Sequence, residues 1–205
     1  MRPLFERAAA AVAVLFASTI TADAHIVAAR LGDFYAGALH PLTDLQDIIL
    51  WAAMALLAGS LGASRGRWLV LIFPLGLLVG LTAGLSLGSI ADVPAVGAGM
   101  ILVLGLLLAA EARLSTVWLG AIAFGLAVVR GAANAGGLAP ETNQVLFAAG
   151  LASAGYIAIT LAMAVTLVLR RADGGTSTAW RAIAIRALGG WIAAIGLMMA
   201  GLAFA

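Results

Sequence analysis

The chain has 205 residues, 64% hydrophobic and 10% charged, with a mean hydropathy of +1.13, which excludes a soluble globular domain and implies an integral membrane protein. It has no cysteine, so disulfides, thiolate metal ligands and thiol redox chemistry are excluded. All eleven basic residues are arginine, and a net charge of +2 is too small and too dispersed to suggest nucleic-acid binding.

The first predicted element is a targeting segment. "MRPLFER" is a charged leader, "AAAAVAVLFASTIT" is an apolar stretch short for a span, and "ADA" before His25 has the small-x-small spacing of a cleavage site. Residues 1–24 are therefore expected to be a signal peptide, and 25–205 the mature membrane domain, starting on the outer face. Cleavage would give His25 a free amine beside its imidazole, a chelating pair for Cu(II) or Ni(II). The alternative for His25 is an incidental residue on a frayed terminus.

Six apolar stretches follow, at about 43–62, 68–88, 94–111, 115–134, 145–169 and 180–204, each near the ~20 residues that a bilayer requires. The connections between them are too short for a soluble domain. With the mature N-terminus outside, the first, third and fifth connections are cytoplasmic and carry Arg65, Arg67, Arg113, Arg170, Arg171 and Arg181. The outer side keeps Arg30 and Arg130, which is a positive-inside bias. The predicted fold class is all-α: six transmembrane helices in a compact bundle after a cleavable signal peptide, multi-pass in a bacterial inner membrane, both mature termini outside.

The start of the first span, "GALHPLTDLQDIILW" (37–51), holds a dense group of polar residues. Pro41 suits a first helical turn, Thr43 with Gln46 fits a capping box, and Asp44 and Asp47 are acids near a positive helix end. The same stretch has a second reading. His40, Asp44 and Asp47 are four and three apart, so a helix that includes His40 lines them along one face. An imidazole and two carboxylates are suitable donors for a first-row divalent cation or a proton.

In the second span glycines recur at Gly76, Gly80, Gly84 and Gly88, a bare stripe that another helix can approach closely. "AAGLASAG" in the fifth span and "RALGGWIAAIGLMMAG" in the last repeat the small-residue theme. Isolated Thr82, Ser86, Ser153 and Thr160 are expected to hydrogen-bond between helices. There is no H-E-x-x-H and the chain has only two histidines, so an intramembrane enzyme is not expected.

"YAGALHPLTDLQDIILWAAMALLAGSLG" resembles the first-span signature of the HupE/UreJ family of hydrogenase and urease accessory membrane proteins, G-F-x-x-G-x-x-H-P-x-x-G-x-D-H before an apolar helix. The likeness continues in "PAVGAGMILVLGLLLAAEARLSTVW", "FGLAVVRGAANAGGLAPE" and "ALGGWIAAIGLMMAG". It implies a six-helix permease-like protein associated with nickel or cobalt uptake, the ion being cargo and not a resident cofactor. His40 and Pro41 hold their motif positions, while Asp44 stands for Gly, Gln46 for Asp and Asp47 for His. Arg130 and Asn134 replace two further histidines, and Gly97 sits where the third span of the family has an acid.

Two functions stay open at this point. One is a divalent metal permease with a rebuilt site of His40, Asp44 and Asp47, joined by Asn134 and Glu141. The other is a nontransporting accessory or interaction protein in which Arg130 is an ion-pair partner for an acid of the first helix. The expected partners are the lipid bilayer, a divalent ion and accessory proteins of metalloenzyme maturation.

Overall fold

Backbone amides cannot be left unbonded among side chains and lipid this apolar, and helices satisfy them within a single segment. A computed structural model describes residues 32–87, 94–136, 138–172 and 180–204; 88% of these are helical and none is in a strand. The expected signal peptide, His25 and Gly88 lie outside the described residues.

The first polar stretch builds two helices, not one. α1 (Asp33–Thr43) carries Pro41 inside it, and Asp44 then leaves helical geometry at φ −99°, ψ 115°. Proline lacks an N–H and its ring crowds the carbonyl four residues back, so the helix is weakest there. α2 (Leu45–Leu61) leaves at 81° to α1. Its cap is Asp44, whose carboxylate accepts the Gln46 backbone N–H at 2.8 Å.

Two expectations are corrected here. Thr43 ends α1 instead of capping α2, its hydroxyl donating to the His40 carbonyl at 2.7 Å, because the extended residue that a cap requires is Asp44. Pro41 lies near the end of α1 instead of in a first turn.

Beyond α2 the boundaries follow the apolar stretches to within a few residues. Gly62, at φ 93°, turns the chain into the short α3 (Ala63–Gly66). α4 (Leu69–Leu87) follows, then α5 (Pro94–Ala109), with proline at its first position. α6 (Thr116–Ala135) is capped by Ser115, and α7 (Gln144–Ala172) by Asn143, whose side-chain oxygen accepts from Val145 and Leu146 N–H. α8 (Trp180–Ala203) is the last.

Among the described residues, four stretches are long and apolar enough to cross a bilayer: Ala63–Leu87, α6, Gln144–Arg170 and α8. α1 with α2 makes a fifth only as a bent pair. α5 has 16 residues, about 24 Å at the helical rise against a hydrocarbon core of about 30 Å.

Three close helix pairs form the bundle: α4 on α6, α5 on α8, and α1 on α7. α2 lies between α5 and α7, and its Leu50, Ala53, Met54, Leu57 and Ala58 are fully buried. Each close pair meets through glycine. On α4, a Cβ at Gly76 would lie 2.7 Å from Ala127 Cβ and one at Gly84 2.6 Å from Ala132 O, while one at Gly80 would run into Val128 O. Gly105 and Gly189 do the same between α5 and α8, and Gly37 and Gly150 between α1 and α7. Leu71, Leu75 and Val79, elsewhere on α4, stay exposed as a lipid-facing side. Thr82, Ser86 and Ser153 donate to carbonyls of their own helices, three or four residues back, and not across to a neighbour.

Candidate functional site

The break at Asp44 and the start of α2 place Asp44, Gln46 and Asp47 at one end of the bundle, facing the C-terminal half of α6. Arg130 and Asn134 are four apart on α6, so both project from one face toward that turn. All three nitrogen atoms of the Arg130 side chain donate to α2: Nε to Asp47 Oδ1 at 2.6 Å, Nη1 to Gln46 Oε1 at 3.2 Å, and Nη2 to Asp44 Oδ2. Asn134 Nδ2 donates to Asp47 Oδ2 at 3.1 Å and to the Arg130 carbonyl at 2.7 Å.

Burial divides the two acids. The Asp47 side chain is 1% exposed and that of Arg130 5%, whereas Asp44 is 42% exposed and opens the centre to the end of the bundle. A guanidinium is a planar fork of donors, always charged, and is suited to joining two carboxylates. Two acid side chains thus face one guanidinium. Asn134 Oδ1 and, one turn below Asp47 on α2, Trp51 Nε1 are buried without a hydrogen-bond partner among the described residues.

Gly97 explains how Gln46 reaches the arginine. A Cβ at that position of α5 would run into Gln46 Oε1, so the missing side chain is the space the amide occupies. Sequence reasoning assigned Gln46 to a capping box and missed its bond to Arg130. The Gln46–Gly97 pair was signalled only as two separate departures from the family pattern.

His40 stays on α1, across the 81° bend from Asp47, with its ring 5.8 Å from that of Phe147 in an edge arrangement. A single continuous face carrying His40, Asp44 and Asp47 is therefore not what the chain builds. Glu141 is exposed in the connection between α6 and α7. No group of three or more His, Asp or Glu among the described residues is arranged to hold a metal ion. The side-chain oxygens of Asp44, Gln46 and Asp47 all accept hydrogen bonds already.

A G-x-S-x-G spacing does occur, at Gly84 to Gly88. Ser86 Oγ donates to the Thr82 carbonyl at 2.8 Å within α4, far from the strand-to-helix elbow that makes such a serine a nucleophile.

Residues 12–199 match the family model described as HupE / UreJ protein. No curated protein and no solved structure matches the chain.

Proposed function

The chain belongs to the HupE/UreJ family, and from that premise we propose that it is a metal-handling membrane accessory protein whose polar centre is closed by its own arginine and does not conduct free nickel or cobalt. The observation that carries this reading is the Arg130 guanidinium, bound at once to Asp44, Gln46 and Asp47. A divalent ion would need those same oxygens, and the guanidinium keeps its charge at any physiological pH and repels the ion. Carriage of nickel or cobalt requires Arg130 to leave both carboxylates, which strands its guanidinium at a buried position. Its partners in this reading are the bilayer and accessory proteins of metalloenzyme maturation, and it performs no catalysis.

Charge distribution supports an orientation. Glu111 lies 3.8 Å from Arg170, Arg186 Nε donates to the Ala109 carbonyl, and Gly66 lies against Met163. One end of the bundle therefore collects Arg65, Arg67, Arg113, Arg170 and Arg181. The other has Asp33, Asp44, Asp47 and Glu141 with Arg130. Six crossings in a bacterial inner membrane, with α5 as the shortest, put the arginine-rich end in the cytoplasm and the polar centre and both mature termini outside.

Uptake of radioactive nickel and cobalt by whole cells, with and without the gene, is the test. Equal uptake is expected, and uptake that depends on the native chain overturns the proposal.

A further inference from the structure

We infer that the arginine-rich end of the bundle is a docking surface for the headgroups of anionic phospholipids, centred on the corner where α3 and the start of α4 meet the start of α6. The inference does not depend on Arg130 or on the closed polar centre. The first ground is unanswered charge. Arg65, Arg67 and Arg113 are exposed, and among the described residues none of them has an ion-pair partner. Glu111, the one acid described at that end, lies 3.8 Å from Arg170 instead. α4, α6 and α8 all begin there, and none has an acid in its first turn to answer the positive end of its helix.

The second ground is how the corner is built. α3 packs on α6, and a Cβ at Gly120 would lie 3.4 Å from Ile72 Cδ1, so the starts of α4 and α6 stand side by side. Arg65, Arg67 and Trp68 therefore share one end of the bundle with Trp118 and with Arg113, two residues before the Ser115 cap. Arg67 Cζ lies over the Trp68 ring, 5.4 Å from its centre, and Arg181 Cζ over the Trp180 ring at 5.2 Å repeats the pair at the start of α8. A guanidinium over an indole face keeps its in-plane N–H donors for other acceptors, and a phosphodiester offers two oxygens that such a fork can hold at once.

The third ground is the kind of partner. Trp68, Trp118 and Trp180 are 48%, 66% and 68% exposed and all stand at the arginine-rich end, whereas Trp51 is buried and Trp191 lies midway along α8. Exposed indoles settle at the level of lipid headgroups, with their apolar body toward the acyl chains. Leu71 and Leu75, one and two turns further along α4, are exposed in turn. Arginine, then tryptophan, then leucine follows the order of phosphate, glycerol and acyl chain in a lipid. A soluble acidic protein would use the arginines alone, and only a lipid uses all three layers.

The experiment reconstitutes the full chain in phosphatidylcholine bilayers with a trace of spin-labelled phosphatidylglycerol or spin-labelled phosphatidylcholine, and electron spin resonance reads the fraction of each probe that the protein immobilises. The native protein is expected to prefer phosphatidylglycerol, and the preference to fall as salt is raised. Each arginine at such a surface is worth roughly a fivefold change in lipid affinity, so replacing Arg65, Arg67 and Arg113 together by Gln should bring the two probes close to parity. All three are exposed, and an unchanged thermal midpoint in pure phosphatidylcholine shows that this variant is folded. Trp68→Leu with Trp118→Leu, which keeps every charge, should lower the preference in part. Arg186→Gln removes one charge from α8, where Nε donates to the Ala109 carbonyl, and should lower it less than Arg67→Gln. Equal immobilisation of the two probes by the native protein, an unchanged preference in the triple variant, or equal effects of Arg186→Gln and Arg67→Gln overturns the inference. Binding of polyglutamate that needs these arginines, with the two lipid probes held alike, overturns it in favour of an acidic protein partner.

Discussion

Arg130 is held by three side chains of α2 and is almost fully buried, so its removal leaves Asp47 as a buried carboxylate with only Asn134 donating to it. Breaking a buried pair from one side costs about 3–5 kcal/mol. Arg130→Gln should lower unfolding stability on that scale. Adding Asp47→Asn should recover part of the loss, and a double-mutant cycle measures the coupling. Additive losses in that cycle would mean that the two side chains do not interact. Asp44 has two tasks, capping α2 and pairing with Arg130, so Asp44→Ala should cost at least the ~1 kcal/mol of a lost cap. Thr43→Ala removes only a bond back to the His40 carbonyl and should cost less. The reverse order in denaturant midpoints would return the cap to Thr43.

At the scale of the element, the three close helix pairs depend on backbone reaching backbone. With lipid on the outside there is little hydrophobic drive between helices, and close van der Waals contact takes its place. Gly80 meets Val128 O and Gly84 meets Ala132, so Gly80→Leu or Gly84→Leu should force α4 from α6 and lower the midpoint of detergent-induced unfolding. Leu78→Ala, at a half-buried position off that stripe, should do less. Equal effects from all three would show that the stripe is not the contact. The bend at Asp44 belongs to the same scale: it turns the N-terminal end of α2 inside the bundle, where its first turn presents oxygens to α6 and is not lost to bulk water. Discontinuous helices have this use elsewhere in membrane proteins, where irregular backbone is tolerated only around a polar centre.

At the scale of the whole molecule, the arginine-rich end and the acidic end predict a topology. Reporter fusions after Arg67 and Arg113 should report cytoplasm, and one after Glu141 the outer side. Any of these reversed would refute the six-crossing arrangement. Mass spectrometry of the purified membrane protein should find an N-terminus at His25, as the A-x-A spacing implies, and an intact Met1 would refute cleavage.

Apolar length, glycine spacing and turn residues carried the membrane setting, the helical class and most helix boundaries. These are local properties, set by what each segment needs from lipid and from its own backbone hydrogen bonds, and α4 to α8 lie within a few residues of the stretches read from the chain. The stretch around Asp44 was legible as polar and as a helix start, but not as a bend, because a capping box and a cap one residue later share nearly the same residues. The centre itself was decided by tertiary structure. Arg130 lies 83 residues from Asp47 in the chain, and no periodicity connects α2 with α6. Only the packing of α6 across the first turn of α2, with Gly97 leaving room for Gln46, determines that the carboxylates face a guanidinium and that His40 stays on the far side of the bend.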